Sequence, residues 1–367
     1  MKIVLFANTD WYLYNFRLSL AQALRTQGHD VLLVSPPGEY GFKLQEMGFH
    51  WQPFVFSRRG LNPVAELVTL MRLQHLYRRE QPDLVHHFTI KCVLYGSFAA
   101  RQVGISRVIN SITGLGYVFI SQSIKARLIR WLVSRWYRMA LQGTDVIFQN
   151  PEDRQLFLSY RFADAQRAYL IPGSGVDIKR FFPCEEATGM PLVVLPARLL
   201  WDKGVGEFVE AARMLRAEGI RARFALVGKM DSGNPAAIPI SQLTAWQKEE
   251  VVEWWGWQED IAAVYAQAHI VCLPSYREGM PRVLAEAGAS GRPVVAADVP
   301  GCRLVVRDGV NGLLVAPRDA YALADALKRL ILDPSLRSMM GKNGREIAVR
   351  EFSIERVVSD TIRIYQQ

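Results

Sequence analysis

Two doubly wound parallel α/β sheets, one in each half of the chain, are the architecture that this sequence of 367 residues predicts. Short apolar runs rich in β-branched residues alternate with stretches of helical periodicity, which is typical of parallel sheets covered by helices. The length corresponds to two domains of ordinary size, each able to bury its own core. The stretch from Pro172 to Pro191 contains three prolines and three glycines, which places the domain boundary near 165–190.

The first half contains runs with the composition of buried strands and longer segments with the apolar spacing of helices. The predicted strands are Ile3–Phe6, Val31–Ser35, Leu84–Phe88, Val108–Ser111 and Val146–Gln149. The predicted helices are Tyr14–Gln27, Leu61–Arg79 and Ile124–Leu141.

A second series of strands and helices begins after the boundary. Its predicted strands are Leu192–Ala197, Arg223–Val227, Val251–Trp254, Ile270–Leu273 and Val294–Ala297, and a last helix is predicted at Ile354–Tyr365. Open parallel sheets bind ligands beyond the carboxyl ends of their strands, so we expect the site in the cleft between the two halves.

Composition excludes several classes of protein. With 50% hydrophobic and 22% charged residues the chain is not disordered. No apolar run approaches the roughly 18 residues of a membrane-spanning helix, and the N-terminus lacks the apolar core of a signal peptide. The four cysteines are far apart in sequence, which predicts neither a metal site nor a disulfide framework. We therefore expect a soluble protein of the reducing cytoplasm.

The positive charge lies in the first half. Residues 1–170 hold 20 Lys and Arg against 11 Asp and Glu, whereas residues 171–367 hold 24 of each. This asymmetry predicts an anionic partner for the first half: nucleic acid, a membrane surface or a phosphorylated substrate. No recognised nucleic-acid-binding motif accompanies the charge, so we expect no nucleic acid.

Familiar catalytic motifs are missing from the sequence. The first strand is followed by Ala7-Asn8-Thr9-Asp10-Trp11 without the glycines of a dinucleotide site, and no phosphate-binding P-loop occurs. No Asp-x-Asp pair offers a carboxylate cage for Mg²⁺ or Mn²⁺, so we expect no metal and no other cofactor. A phosphorylated ligand would then be neutralised by cationic side chains and helix N-termini.

Two carboxylates follow one strand of the second half. The segment Pro274–Glu286 comes directly after Ile270–Leu273, and Pro281 suits the first turn of a helix that would run to about Ser290. Glu278 would lie at the mouth of that helix and Glu286 inside it, a pair suited to the hydroxyls of a sugar and a ribose. Main-chain N–H groups near Gly279–Pro281 would favour phosphate. The alternative is a capping Glu278 and a solvated Glu286.

Two cations follow another strand of the second half, in Pro196-Ala197-Arg198-Leu199-Leu200-Trp201-Asp202-Lys203-Gly204. Arg198 and Lys203 are placed to grip a diphosphate, one by a planar fork and one by a point charge. Alternatively they are ordinary surface cations.

These segments together resemble glycosyltransferase family 4, the retaining, metal-independent enzymes of GT-B fold with two Rossmann-like domains. The likeness includes Ile171–Asp177, Pro300-Gly301-Cys302-Arg303 and Asp308–Val315, and it departs at Leu304, where an acidic residue is frequent. It implies a UDP-sugar donor whose diphosphate is held by Arg198 and Lys203. It further implies that Glu278 contacts the transferred sugar, Glu286 the ribose, and the main chain of Gly279, Met280 and Pro281 the sugar or phosphate. Arg198, Lys203 and Glu278 would be catalytic.

Two segments of the first half look like a narrower branch of that family, which extends lipid-diphosphate-linked saccharides in bacterial glycan assembly. They are His86–Lys91 and Asn110–Tyr117, and Cys92 stands where the branch more typically has Pro. Asp10–Arg17 lies at the first strand-to-helix turn and would face the cleft in a GT-B arrangement. We expect acceptor contacts from Asn15, Arg17, Lys91, Thr113 and Gly114. Arg17 would meet a phosphate, unless it is a plain helix-surface arginine. Strand alternation points one of His86 and His87 into the cleft; we favour His87 as a catalytic residue, the alternative being a structural histidine.

A basic amphipathic helix is predicted within Ser123–Gly143, which has five basic residues and no acidic one. Such a helix with interfacial Trp is typical of a peripheral membrane anchor, although a core-packed helix with a solvated basic side is the alternative. The expected membrane contacts are Lys125, Arg127, Arg130, Trp131, Arg135, Trp136 and Arg138.

The sequence thus predicts a GT-B glycosyltransferase with an acceptor-binding domain at 1–170 and a donor-binding domain at 171–351, with 352–367 crossing back onto the first. It would move a sugar, an N-acetylhexosamine being one candidate, from a UDP-sugar to a polyprenyl-diphosphate-linked saccharide. We expect it at the cytoplasmic face of the cell membrane, bound to an anionic surface. Two alternatives stay open: a GT-B-shaped epimerase of nucleotide sugars, and a non-catalytic membrane-associated subunit that binds them.

Overall fold

A computed structural model describes residues 1–57, 62–114, 124–231 and 233–367, and of residues 124–132 it describes the backbone alone. The chain divides into two compact units. The first contains Met1–Ser174 together with Val357–Gln367, and the second contains Gly175–Arg356. The division at 174 lies inside the Pro- and Gly-rich stretch.

The first unit is a parallel seven-stranded sheet in the order β3-β2-β1-β4-β5-β6-β7. Its strands are β1 (Lys2–Phe6), β2 (Asp30–Ser35), β3 (His50–Pro53), β4 (Leu84–Phe88), β5 (Arg107–Ile112), β6 (Asp145–Phe148) and β7 (Ala168–Leu170). The sequence prediction missed both edge strands, β3 and β7. They are short, and edge strands need no continuous apolar run because one side is left uncovered.

Helices cover both faces of this sheet. They are α1 (Asp10–Tyr12), α2 (Leu18–Thr26), α3 (Glu39–Glu46), α4 (Pro63–Glu80), α5 (Ile90–Val103), α6 (Ile124–Leu141) and α7 (Pro151–Ser159). The side chain of Asn62 caps α4 by accepting from the Val64 amide, with Pro63 in the first turn. The helix predicted over Tyr14–Gln27 is interrupted, since Leu13–Arg17 forms a π-helical turn before α2.

The second unit is a parallel six-stranded sheet in the order β10-β9-β8-β11-β12-β13. Its strands are β8 (Leu192–Pro196), β9 (Arg223–Val227), β10 (Glu253–Gly256), β11 (Ile270–Leu273), β12 (Val294–Ala297) and β13 (Gly312–Val315). The strand predicted at Val251–Trp254 begins two residues later, at Glu253. Val252 lies in the same buried cluster as Leu243 and Trp246, whereas the edge strand itself is half-buried.

The helices of the second unit follow the same alternation. They are α8 (Val205–Ala217), α9 (Ile240–Lys248), α10 (Ile261–Gln267), α11 (Arg282–Ala289), α12 (Pro300–Val305), α13 (Ala320–Leu332) and α14 (Pro334–Glu351). The last helix of the chain is α15 (Ile354–Tyr365), the helix that the sequence predicts. From Val357 onward it belongs to the first unit, where Val357 and Ile362 enter the core beside β1 and β2.

Each sheet reverses its strand order at one point, and that point decides where a ligand fits. In the first sheet β1 lies beside β4, and the following strands are added on opposite sides, β2 and β3 next to β1 and β5 to β7 next to β4. In the second sheet β8 lies beside β11 in the same way. Loops diverge at such a switch point and leave a crevice at the carboxyl ends of the two strands. Four of the segments chosen from the sequence begin there: Asp10–Arg17 and His86–Lys91 in the first unit, and Arg198–Gly204 and Pro274–Glu286 in the second.

Candidate functional site

The loops after β8 and β11 are bound to each other through main-chain atoms. The carbonyl of Asp202 accepts hydrogen bonds from the Tyr276 amide (3.0 Å) and from the Ser275 hydroxyl (3.2 Å). Gly204 ends the turn Trp201–Lys203 with φ of +72°, and a Cβ built on it would lie 2.1 Å from the carbonyl oxygen of Pro274. Only glycine permits both this backbone conformation and this approach. The two loops therefore hold each other in place.

This contact brings together two side chains that are 75 positions apart in the sequence. Lys203 Nζ lies 2.5 Å from Glu278 Oε1, with 21% and 12% of the two side chains exposed. A half-buried ion pair of this kind adds little net stability, because desolvation of both charges offsets their attraction. At the mouth of a crevice it does hold a cation and a carboxylate ready for a ligand.

Arg198 is the second predicted cation, and its side chain is more exposed to solvent than that of Lys203. Its Nη1 pairs with Asp231 Oδ2 at 3.0 Å, and 59% of its side chain is exposed. An exposed ion pair of this kind contributes about 0.2–1 kcal/mol to stability. Arg198 is thus available to leave Asp231 for a stronger anion.

Glu286 is buried, so the alternative of a solvated Glu286 is wrong. Its carboxylate accepts from the Tyr265 hydroxyl at 3.2 Å and lies 2.7 Å from Arg282 Nε. Burial raises the pKa of Glu286, while the Arg282 charge and the Tyr265 hydrogen bond oppose that shift.

Helix α11 begins one residue later than predicted, at Arg282, with Pro281 as its N-cap. Pro281 makes no side-chain capping hydrogen bond to this helix. Gly279 and Met280 form the approach to this helix. A Cβ on Gly301 would lie 2.5 Å from the Glu278 carbonyl oxygen and 2.7 Å from that of Gly279, so α12 supports this loop from behind.

Sequence reasoning missed a polar contact beside these loops. The Tyr276 hydroxyl donates to Glu207 Oε1 at 2.6 Å, and the guanidinium of Arg318 lies 4.5 Å from the centre of the Tyr276 ring. Arg318 has φ of +64°, a strained conformation for a residue other than glycine. Tyr276 belongs to the segment singled out from the sequence, but Glu207 and Arg318 come from α8 and from the turn after β13, so no spacing could have linked them.

In the first unit, the structure places the predicted acceptor residues in different environments. Asn15 donates to the carbonyl of Trp11 at 2.9 Å. Lys91, in the first turn of α5, is paired with Glu66 at 2.7 Å. Thr113 and Gly114 follow β5 and are half-buried, with Gly114 at φ of +143°.

Arg17 is buried, so it is not a plain helix-surface arginine. It closes the π-helical turn after β1, and 5% of the residue is exposed. Its Nη2 donates to the Tyr12 hydroxyl at 2.8 Å, and its Cζ lies 4.3 Å from the centre of the Phe88 ring. These are contacts with neutral groups.

Neither histidine of the His86-His87 pair is exposed, which contradicts the prediction that His87 faces a substrate. His87 lies in the core with its Nε2 3.0 Å from the Tyr77 hydroxyl and its Nδ1 2.9 Å from Asn110 Oδ1. Helix α5 covers the ring, since a Cβ on Gly96 would lie 2.5 Å from it. Burial lowers the pKa of His87 to about 4, with the Asn110 hydrogen bond opposing the shift. His87 is a structural histidine.

This burial predicts a specific dependence of stability on pH. The unfolded chain takes up a proton at His87 near pH 6.5, whereas the folded chain does so only near pH 4. The contribution of His87 is thus present above pH 6.5 and lost as the pH falls toward 4, at up to about 1.4 kcal/mol per pH unit. The free energy of unfolding, measured with urea between pH 4.5 and 7.5, should fall less steeply with decreasing pH in His87→Gln, by up to about 1.4 kcal/mol per pH unit below pH 6.5. The same pH dependence in both proteins would contradict the assignment.

Helix α6 forms where the sequence predicts it, over Ile124–Leu141. Arg135, Trp136 and Arg138 are exposed, and Arg138 donates to the carbonyl of Tyr160. The side chains of Lys125, Arg127, Arg130 and Trp131 lie outside the described residues.

A second exposed apolar face lies on α4 and was not predicted. Its members are spaced at i, i+3, i+4 and i+7, and 41% to 71% of each is exposed: Val64, Leu67, Val68 and Met71. The exposed residues in the second half of α4 include Arg72, Arg78 and Arg79. Helix α5 packs against both α4 and α6, so these three helices are neighbours in the first unit.

The described part of the chain offers neither a cluster of metal ligands nor a membrane-spanning helix. No group of three or more His, Cys, Asp or Glu side chains there is arranged to hold a metal ion. None of the helices in the described ranges is long and apolar enough to cross a bilayer.

Family models match the two halves separately. Residues 2–160 match the family described as glycosyl transferase 4-like, and residues 178–347 match glycosyl transferases group 1. Together they span almost all of both units.

Full-length relatives show the same similarity. The chain is 28% identical over 364 residues to the N,N'-diacetylbacillosaminyl-diphospho-undecaprenol α-1,3-N-acetylgalactosaminyltransferase of Campylobacter jejuni, covering 95% of this chain and 94% of that protein. It is 25% identical over 322 residues to the UDP-Gal:α-D-GlcNAc-diphosphoundecaprenol α-1,3-galactosyltransferase of Escherichia coli, covering 84% and 81%. The fold matches Anabaena HepE, solved in complex with UDP, at 18% identity with a TM-score of 0.79 over 100% of both chains.

Proposed function

Because this chain is a glycosyltransferase, with a glycosyl transferase 4-like first domain and a group 1 second domain, we propose that it transfers a sugar from a UDP-sugar to a polyprenyl-diphosphate-linked saccharide. The observation that carries the proposal is the Lys203–Glu278 pair at the switch point of the second sheet. The relatives from C. jejuni and E. coli, whose names specify undecaprenyl-diphosphate acceptors, support the acceptor class.

The second unit supplies the donor site in this proposal. The donor diphosphate enters beside Lys203, draws Arg198 from Asp231 and lies toward the first turn of α11. Glu278, released from Lys203, accepts hydrogen bonds from the transferred sugar. Glu286, held by Tyr265 and Arg282, contacts the ribose.

The proposed reaction retains the anomeric configuration and needs no metal. The bond from the anomeric carbon to the diphosphate oxygen breaks while the acceptor oxygen bonds to that carbon on the same face. The proton of the acceptor hydroxyl passes to the departing diphosphate. Lys203, Arg198 and the amides of the α11 turn stabilise the negative charge that develops there, the role a divalent cation has in other transferases.

Donor binding can be tested without any acceptor. UDP, GDP and ADP at equal concentration, with EDTA present, should differ in their effect on thermal unfolding. A nucleotide at about 100 times its dissociation constant adds about 2.7 kcal/mol, a shift of several degrees. We expect a shift with UDP that the chelator leaves unchanged. A shift that requires Mg²⁺, or that appears with GDP alone, would contradict the proposed donor site.

We also propose that the first unit binds an anionic membrane surface through α4 and α6. The exposed apolar face of α4, the arginines that follow it and exposed Trp136 of α6 have the chemistry of an interfacial surface. The net charge of +9 favours anionic lipid. A lipid-linked acceptor would be met at that surface.

Membrane binding predicts a difference between exposed apolar residues on and off this surface. Leu67→Glu should weaken sedimentation with vesicles of phosphatidylglycerol and phosphatidylethanolamine by at least about tenfold, since one buried leucine is worth about 1.5–3 kcal/mol. Tyr321→Glu is the matched control, because Tyr321 is an exposed apolar residue of the second unit. Equal vesicle binding by the two variants would show that α4 does not contact the membrane.

A further inference from the structure

Arg17 is a buried cation with which no carboxylate of the described residues forms an ion pair. Its Nε is buried and has no hydrogen-bond partner among those residues. The nearest acid in sequence, Asp10, is already used: its carboxylate accepts from the amides of Trp11, Tyr40 and Gly41. Leaving a guanidinium this deep without an anion costs several kcal/mol, because the lost hydration is not replaced.

The neighbours of Arg17 hold the guanidinium in place but do not neutralise it. Tyr12 accepts a hydrogen bond from Nη2, and the ring of Phe88 lies under the guanidinium plane. Behind them His86 Nδ1 lies 2.6 Å from the Tyr365 hydroxyl, and His86 Nε2 lies 2.7 Å from the Ser111 hydroxyl. Burial and the charge of Arg17 lower the pKa of His86 well below its usual range. The group behind the cation is therefore a neutral imidazole.

The backbone around Arg17 is irregular in two places. Arg17 ends a π-helical turn, a rare conformation that occurs frequently at functional sites. Thr89, the residue after Phe88, has φ of +73°, and its hydroxyl is buried without a partner. Strain and unpaired polar atoms in a native structure call for a compensating role. Both irregularities lie at the carboxyl ends of β1 and β4, the two strands that flank the switch point of the first sheet.

We propose that Arg17 forms the centre of a preformed phosphate or diphosphate site within the first unit. The guanidinium N–H groups of Arg17 that do not bond to Tyr12 would donate charge-assisted hydrogen bonds to phosphate oxygens. Tyr12 and Phe88 are the positioning residues that hold the guanidinium in place. If the proposed function holds, on which this assignment rests, the site binds the diphosphate of the lipid-linked acceptor. The saccharide would then be recognised separately from the group that anchors it.

Inorganic pyrophosphate is the direct probe, used with full-length protein. Because pyrophosphate also fits the donor site, its affinity is measured by calorimetry in the Lys203→Ala background. There, Arg17→Gln should weaken the remaining pyrophosphate binding by at least about tenfold, and Arg17→Lys, which keeps the charge but not the fork, by less. Arg25→Gln is the matched control: Arg25 lies on the adjoining helix α2 with its Cζ 4.1 Å from the centre of the Phe49 ring, and it is exposed. Equal pyrophosphate affinity with and without Arg17 would overturn the site.

A kinetic comparison assigns the source of the phosphate. Two acceptors carry the same saccharide, one on a polyprenyl diphosphate and one as an alkyl glycoside. Arg17→Gln should lower kcat/KM on the diphosphate acceptor by on the order of 10²- to 10³-fold, the loss expected when one partner of a buried charge pair is removed. On the alkyl glycoside the loss should be much smaller.

Pyrophosphate binding and the kinetic comparison test the Arg17 site and the proposed transfer reaction independently. Equal losses on both acceptors would overturn the assignment to the acceptor diphosphate. Absence of transfer by the wild-type protein, with pyrophosphate binding that still depends on Arg17, would contradict the proposed function and support the anion site. If Arg17→Gln fails to fold, Arg17→Lys carries both measurements.

Discussion

Lys203→Ala should lower kcat by about 10²- to 10³-fold while the protein stays folded. The proposed reaction places Lys203 against the leaving diphosphate, and removing one preorganised donor from such charge costs about 2.7–4 kcal/mol of transition-state stabilisation. The substitution leaves the largely buried Glu278 carboxylate without its cation, so it should also lower the free energy of unfolding, by roughly 1–3 kcal/mol.

Lys328→Ala is the matched control for this variant. Lys328 also belongs to the second unit and pairs with Glu218 at 2.6 Å, but both side chains are largely exposed and neither lies at the switch point. It should keep wild-type activity. If Lys203→Ala is folded and as active as Lys328→Ala, Lys203 has no catalytic role.

Gly204→Ala should damage both stability and activity, and Gly219→Ala should damage neither severely. Both glycines have positive φ, +72° and +76°, so each substitution costs about 1 kcal/mol in backbone strain. A Cβ at Gly219 meets nothing within 4 Å, whereas at Gly204 it meets the Pro274 carbonyl oxygen at 2.1 Å. The clash should add about 1–3 kcal/mol.

The activity difference between these two glycine variants measures the value of the loop contact. Forcing Gly204 away from Pro274 moves Lys203 relative to Glu278, and a displacement near 1 Å can cost about 10²-fold in rate. Unfolding by urea and initial rates on the same samples check both parts. Equal destabilisation by Gly204→Ala and Gly219→Ala would show that the two loops do not depend on this contact.

The elements that sequence could predict are those determined by local pattern. Strands β4, β9, β11 and β12 were predicted to the residue, since each is a short apolar run between turn-forming residues. Helix α6 was also predicted to the residue from its apolar spacing. Three edge strands were missed: β3 and β7 lack that pattern, and β13 was not predicted although it is apolar.

The site depends on contacts between residues far apart in the sequence, which local sequence patterns do not specify. Lys203 and Glu278 meet because β8 lies beside β11, a neighbour relation that follows from the order of the whole sheet. His87 was misjudged because alternation along β4 gives a direction but not the helix that covers that face. The burial of Arg17 depends on a π-helical turn and on Phe88 from a different strand, neither visible in the spacing of residues.

Turnover by purified protein tests the central claim most directly. The protein is incubated in EDTA with a panel of radiolabelled UDP-sugars that includes UDP-N-acetylhexosamines, and with a polyprenyl-diphosphate-linked saccharide, and the products are resolved by thin-layer chromatography and NMR. We expect the label on the lipid-linked saccharide in the α configuration of the donor, with transfer by Lys203→Ala reduced to the extent given above. Epimerised UDP-sugar formed without acceptor, an inverted linkage, or transfer that requires added metal would contradict the account.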